Sequence, residues 1–333
     1  MIESPMSNVA STNDFSQRRI LALSGGVGGA KLALGLTYRL TPEQLVVVCN
    51  TGDDFSHYGL PICPDLDTVM YTLAGRNNSE QGWGLAGESW RTMEALAQIG
   101  GETWFRLGDL DIATHLQRGE LLRRGLTLSA ATDELRRHFK IDYTILPMSD
   151  DPVSTMVATA AGELSFQHYF VREQCRPAVS GFRFHGIEAA RPQPQFVAQL
   201  HAADLAAVII CPSNPFVSID PILQLAGVRA ALRDMAAPVV AVSPIVGGVA
   251  IKGPAAKMLT ELNLPSSALA VAEHYADVLD GIVIDETDAV LATAIEDLGI
   301  AVHTAQTVMK SLDDRIDLAR EVLLFAERLS GEI

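Results

Sequence analysis

The sequence predicts an α/β protein built on a doubly wound, mostly parallel sheet of Rossmann-like type, with an antiparallel insertion around residues 155–189. Three observations lead there. Short aliphatic runs recur along the chain and are nearly continuous in apolar residues, as strands covered on both faces must be. Helical patterns fall between them, so strand and helix alternate. Each core run is followed at once by a loop of small and polar residues, and in a parallel sheet such loops emerge together at the carboxyl edge, where open α/β folds bind ligands.

The strands are expected at Ile20 to Leu23, Leu45 to Cys49, Thr144 to Leu146, Ala206 to Ile210, Val239 to Val242 and Ile282 to Ile284. Helices are expected at Lys31 to Tyr38, Asp67 to Ala74, Trp90 to Ile99, Ala130 to Phe139 and Ala226 to Met235. From Thr155 to Ala189 apolar and polar residues alternate around Gly162 and Gly181, which gives the antiparallel insertion. Residues 1–18 read as a flexible polar tail and 19–333 as one α/β domain, without internal repeats.

Composition narrows the function. With 48% hydrophobic and 20% charged residues, a chain of 333 residues buries an ordinary core. Its 25 Lys and Arg against 40 Asp and Glu give a net charge of −15, which repels nucleic acid and an anionic membrane surface alike. Cys49, Cys63, Cys175 and Cys211 are too widely spaced for a CxxC motif and read as buried thiols. The longest charge-free apolar stretch, between Asp234 and Lys252, is broken by Pro238, Pro244, Gly247 and Gly248, so no spanning helix is expected. The first eighteen residues lack the apolar core of a secretory signal, and a cytoplasmic location is the expectation.

The loops carry the chemistry. The first, Ser24-Gly25-Gly26-Val27-Gly28-Gly29, opens a helix and offers backbone N–H groups to phosphate oxygens, with Lys31 in the first turn. It lacks the spacing of a P-loop and fits G-x-G-x-x-G only loosely, since Lys31 stands where a third glycine is due. Ser213 and Asn214 after the fourth strand, and Ser243 after the fifth, complete the expected phosphate-binding set. Asp53, Asp54, Asp65 and Asp150 sit at loop tips and suit a hard cation such as Mg2+, which takes one or two carboxylates and fills its shell with water and substrate phosphates. Asp67 and Asp109 also stand in helix-capping contexts. His57, in a Gly-flanked loop, is a candidate ligand contact, whereas His115 beside Arg118 reads as a packed side chain. Trp83, Trp90 and Trp104 read equally as an aromatic wall or as core. No Ser-His-Asp arrangement or zinc spacing is legible.

Taken in order, SGGVGGAKL (24–32), NTGDD (50–54), CPDLDTVMYTLAG (63–75), LGDLDIATH (107–115), LPMSDDPVST (146–155), PSNPFVSIDPI (212–222) and SPIVGGVAIKGPAAK (243–257) resemble the 2-phospho-L-lactate transferase / phosphoenolpyruvate transferase family of coenzyme F420 biosynthesis. The resemblance runs from Arg19 to about Asp288. It implies transfer of a phospho-three-carbon acid from a guanosine-diphosphate-linked donor to the ribityl hydroxyl of the deazaflavin Fo, with Mg2+, release of GMP and a homodimeric assembly. By motif it places Asp67 and Arg106 on the deazaflavin, Asp67 orienting or deprotonating the acceptor hydroxyl and Lys31 or Arg106 neutralising the diphosphate. Val27 and Ala30 resemble the bacterial branch, and Leu110 stands where Arg is frequent; phosphoenolpyruvyl, phospholactyl and phosphoglyceryl donors all stay open, with the enolpyruvyl donor preferred. Two other readings compete: a non-catalytic nucleotide-sugar-binding regulator of the same fold, and a nicotinamide dehydrogenase, whose glycine pattern is absent.

Overall fold

The computed structural model describes residues 18–331 apart from Ser79 and Lys252; the expected tail falls almost wholly outside the described residues. Fourteen strands lie among the described residues: β1 (Arg19–Ser24), β2 (Leu45–Cys49), β3 (Phe55–His57), β4 (Leu60–Ile62), β5 (Thr144–Pro147), β6 (Ser154–Thr159), β7 (Gly162–Ser165), β8 (Val179–His185), β9 (Leu205–Ile210), β10 (Val239–Val242), β11 (Ile245–Val246), β12 (Val249–Ala250), β13 (Gly281–Asp285) and β14 (Ala301–Ala305). Seven of them form one all-parallel sheet in the order β14-β13-β10-β9-β1-β2-β5. The chain winds outward from β1 in one direction through β2 and β5, then returns to β9 and winds the other way. The reversal between β1 and β9 is the switch point at which sheets of this kind open a crevice.

Both faces of the sheet are covered, as the unbroken apolar runs require. Along β1, Ile20 and Ala22 join one core with Leu45, Val47 and Ile209, while Leu21 and Leu23 join the other with Val46, Val48 and Val208. The first core is closed by α1 (Gly26–Thr37), α2 (Pro64–Leu73) and the C-terminal helix Leu312–Leu329. Three further helices follow α2 before β5: α3 (Arg91–Gln98), α4 (Asp109–Arg123) and α5 (Leu128–His138).

The antiparallel insertion is a three-stranded sheet in the order β7-β6-β8, packed through Val157, Tyr169, Val179 and Phe184 onto the second core. Between β7 and β8 the chain makes a π-helical turn, His168–Arg172. The six expected core strands are all present, with ends shifted by a residue at most. The seventh, β14, is one of the two edge strands, and unlike β5 at the other edge its first four residues are partly or fully exposed, so it lacks the continuous apolar run that marked the others.

Candidate active site

The site begins with the glycine loop. Gly25 is the N-cap of α1 and has no side chain to satisfy the first-turn amides, so partners for them come from other loops or from a ligand in the crevice. Ser213 clamps the loop from the neighbouring strand end: its hydroxyl accepts from the Gly25 N–H at 3.1 Å and donates to the Gly25 carbonyl at 2.7 Å. A Cβ on Gly28 would collide with the Pro212 carbonyl oxygen, so this glycine is fixed by the close approach of the two loops.

Beside the loop lie two buried carboxylates. Asp65, in the first turn of α2, accepts the Gly26 N–H at 2.5 Å. Asn50, at the end of β2, donates one amide group to both Asp65, at 3.0 Å, and Asp53, at 3.3 Å. Burial raises Asp65 to about 6, against the lowering pull of its Asn50 and Gly26 hydrogen bonds. Burial and then the repulsion of Asp65 and Asp54 push Asp53 well above the carboxylate range. Two acids sharing one amide donor beside the glycine loop are an oxygen-donor set that a Mg2+ ion would relieve, and they fit it in number and kind.

These groups line one cleft of about 340 Å³. Gly25, Gly26, Gly28, Lys31, Asp53, Asp65, Ser213, Asn214 and Ser243 all reach it. Ser24 and Gly29 stand behind the loop and are buried. Asn214 spends its side-chain oxygen capping the turn at Phe216, and Ser243 closes a turn with Ile245. The opposite wall is aromatic and comes from segments that sequence patterns did not single out: Phe105, and Phe166 and Phe170 of the insertion, whose rings stack 5.4 Å apart. Trp83 joins them. Gln167, between the two phenylalanines' segments, donates from Nε2 to Asp53 Oδ2 at 3.1 Å and so ties the insertion to the acidic pair.

Not all the expected residues meet there. The loop after β5 does not reach the cleft; the loop after β14 does, through Thr307, Val308 and Met309. Asp285 at the end of β13 positions that loop by accepting both the N–H and the hydroxyl of Thr307. Asp54 and Asp150 line a separate cavity of about 620 Å³ on the β5 side. There Asp150 accepts the N–H and hydroxyl of Ser129 at the start of α5, and Asp54, raised by burial, faces Cys63. The expected four-aspartate metal set is therefore divided two and two.

Asp67 is turned away from the cleft. Residues 65 and 67 lie two positions apart on α2, about 200° around the helix, so they cannot share a face. Asp65 faces the glycine loop; Asp67 points to α4, where Arg118 grips both its oxygens, one bond at 3.1 Å and the other shorter. His115 Nδ1 lies 3.6 Å from Asp67 and Nε2 3.2 Å from Asp111, which also accepts from Tyr71. Asp67, Asp111 and His115 have the spacing of a metal trio, but the Arg118 guanidinium already supplies the compensating charge. Burial works against that charge and Asp67 outweighs it, so Arg118 is firmly cationic.

Arg106 is exposed and its guanidinium stacks 4.2 Å over Trp90. His57 is buried among Phe55, Tyr58, Trp104 and Phe105, and burial lowers its pKa. Asp109 caps α3 rather than its own helix, accepting from the Arg91 and Thr92 N–H groups.

Fold and site together define a Rossmann-like protein with a glycine-loop crevice, an acidic pair and an aromatic wall at the topological switch point. The chain belongs to the 2-phospho-L-lactate transferase CofD family, whose family model matches residues 20–314. It is 42% identical over 317 residues to a phosphoenolpyruvate transferase of Streptomyces coelicolor, covering 93% of this chain and 99% of that relative. It is 40% identical over 304 residues to a 2-phospho-L-lactate transferase of Methanosarcina acetivorans, covering 91% and 98%. A crystal structure of a UPF0052-family protein from Bacillus halodurans shares the fold, with a TM-score of 0.61 and 13% identity over 92% of this chain and 99% of that one.

Proposed function

We propose that this chain transfers a phosphoenolpyruvyl group, or a closely similar phospholactyl or phosphoglyceryl group, from a guanosine-diphosphate-linked donor to the terminal ribityl hydroxyl of the deazaflavin Fo in coenzyme F420 biosynthesis. The observation that carries this reading is the Asp53–Asn50–Asp65 arrangement, which shares one cleft with a helix N-terminus and an aromatic wall. A diphosphate suits the first two and a planar tricyclic ring the third. Relatives named for phosphoenolpyruvate and for phospholactate transfer support the class of group moved.

In this reading the Val27 and Gly28 amides and Lys31 bind the donor diphosphate, and Trp83, Phe105, Phe166 and Phe170 hold the deazaflavin ring. Asp53 and Asp65 would hold Mg2+, which when bound neutralises charge on the diphosphate. The ribityl oxygen forms a bond to the phosphorus carrying the acid as the bond from that phosphorus to the bridging oxygen breaks, and GMP leaves with that oxygen. The hydroxyl proton is released to solvent water at the cleft mouth as the new bond forms. Phosphoryl transfer of this kind needs positioning and charge neutralisation and no covalent nucleophile. Among the described residues no helix is long and apolar enough to cross a membrane; a cytoplasmic homodimer is the proposed setting.

The test is incubation of the purified protein with Fo, Mg2+ and each guanylylated acid in turn. GMP and a newly phosphorylated deazaflavin are expected with the enolpyruvyl donor above all. No GMP from any of the three donors contradicts the proposal.

A further inference from the structure

In a chain of net charge −15, one recess gathers cations without acids. A pocket of about 90 Å³ opens beside the cleft, lined by Lys31, Lys310 and Arg315 with Thr68, Thr72 and Asn77, and no Asp or Glu lines it. The Arg315 Nε is buried with no hydrogen-bond partner. The pocket shares Val27, Lys31, Thr68, Gly82 and Trp83 with the main cleft, so one ligand can occupy both.

The three cations come from two distant segments, Lys31 from α1 and Lys310 with Arg315 from the start of the C-terminal helix, and the packing brings them together. Gly35, one turn beyond Lys31 on α1, lies against the Arg315 carbonyl so closely that a Cβ would collide with it. That contact seats the first turn of the C-terminal helix on α1. Lys31 Nζ donates to the Met309 carbonyl at 2.8 Å, which fixes the segment carrying Lys310.

We propose that this pocket is an oxyanion site that seats the carboxylate of the three-carbon acid while its phosphate lies in the cleft. The inference rests on the transfer reading above and names where the donor's acid end goes. A guanidinium and two ammonium groups match a carboxylate in charge, and Arg315 offers it a paired fork of donors. Thr68, Thr72 and Asn77 supply neutral partners. The volume admits a small acid group. Inorganic phosphate shares the chemistry, and the test separates the two.

The donor KM with Fo and Mg2+, and inhibition by guanosine diphosphate, are measured for the wild-type protein, Arg315→Gln, Arg315→Lys and the Lys310→Gln/Arg315→Gln pair. Arg315→Gln is expected to raise the donor KM about tenfold or more. Guanosine diphosphate, which lacks the acid, should inhibit unchanged, and Arg315→Lys should recover part of the loss. A wild-type donor KM in both Arg315→Gln and the double variant overturns the proposal, as does an equal loss of guanosine diphosphate inhibition. Trp83 borders the pocket, so tryptophan fluorescence reads binding without turnover. Quenching by phosphoenolpyruvate that Arg315→Gln abolishes supports the site, and equal quenching by inorganic phosphate overturns the carboxylate assignment. If no donor gives GMP with the wild-type protein, the transfer reading fails, and the fluorescence titration alone decides whether the pocket is an oxyanion site.

Discussion

Arg118 and Asp67 form a buried two-point ion pair that joins α4 to α2, with the Arg118 side chain wholly enclosed. The pair holds α2 at the rotation that turns Asp65 to the glycine loop. Removing one partner strands the other charge in the interior, a loss of about 3–5 kcal/mol. Arg118→Met should therefore lower unfolding stability by that order in urea titrations, and Arg118→Met with Asp67→Leu should cost less than Arg118→Met alone. A single variant as stable as the wild-type protein contradicts the structural role given to the pair.

The acidic pair makes a prediction about pH. Asp65 in the folded, cation-free protein titrates at about 6, above the usual carboxylate value near 4. The folded state thus holds a proton across that interval which the unfolded chain has released. This group's contribution to stability is fully present below about pH 4 and is lost as pH rises through 6. Because Mg2+ binds the deprotonated pair, it should raise the melting temperature more at pH 7.5 than at pH 5. Thermal unfolding with and without millimolar Mg2+ measures this, and an equal increment at both pH values speaks against a cation at Asp53 and Asp65.

Gln167 is the insertion's hold on that pair. Gln167→Leu removes the hydrogen bond to Asp53 Oδ2 and about 1 kcal/mol with it. We expect apparent Mg2+ affinity in the transfer assay to fall several-fold, with the melting temperature nearly unchanged. Unaltered Mg2+ dependence removes Gln167 from the site.

How far the sequence reached can be argued from these same residues. The strands of the central sheet announce themselves because each is buried on both faces, and the loop after each is small and polar at the sheet's carboxyl edge. The glycine loop, Lys31, Asp53, Asp65 and Ser213 follow from that rule. β14 was not legible because an edge strand needs no continuous apolar run, and His303 and Thr304 interrupt it. Phe166, Gln167 and Phe170 were not legible either: alternating strands indicate a sheet, but which turn leans over the cleft is decided by tertiary packing. The division of Asp65 from Asp67 was available in principle, since helical geometry forbids residues two apart from facing one ligand. Motif resemblance favoured Asp67, and the backbone assigns the cleft to Asp65.

The close approach at Gly28 gives a fourth prediction. Gly28→Ala forces a methyl group against the Pro212 carbonyl and must displace one of the two loops, at about 1–3 kcal/mol. Guanosine diphosphate affinity should drop together with stability, as read by calorimetry and thermal melting. Wild-type affinity in this variant places the nucleotide elsewhere.

The proposed function requires one cleft at the switch point to receive the diphosphate, the cation and the deazaflavin together. The most direct measurement is a crystal structure with guanosine diphosphate, Fo and Mn2+ in place of Mg2+, read by the anomalous signal of the metal. The expected result is a manganese peak between Asp53 and Asp65, with the diphosphate on the Val27 and Gly28 amides and the tricyclic ring against Phe166 and Phe170. A manganese peak at Asp54 and Asp150, or a nucleotide in the cavity beside β5, contradicts it.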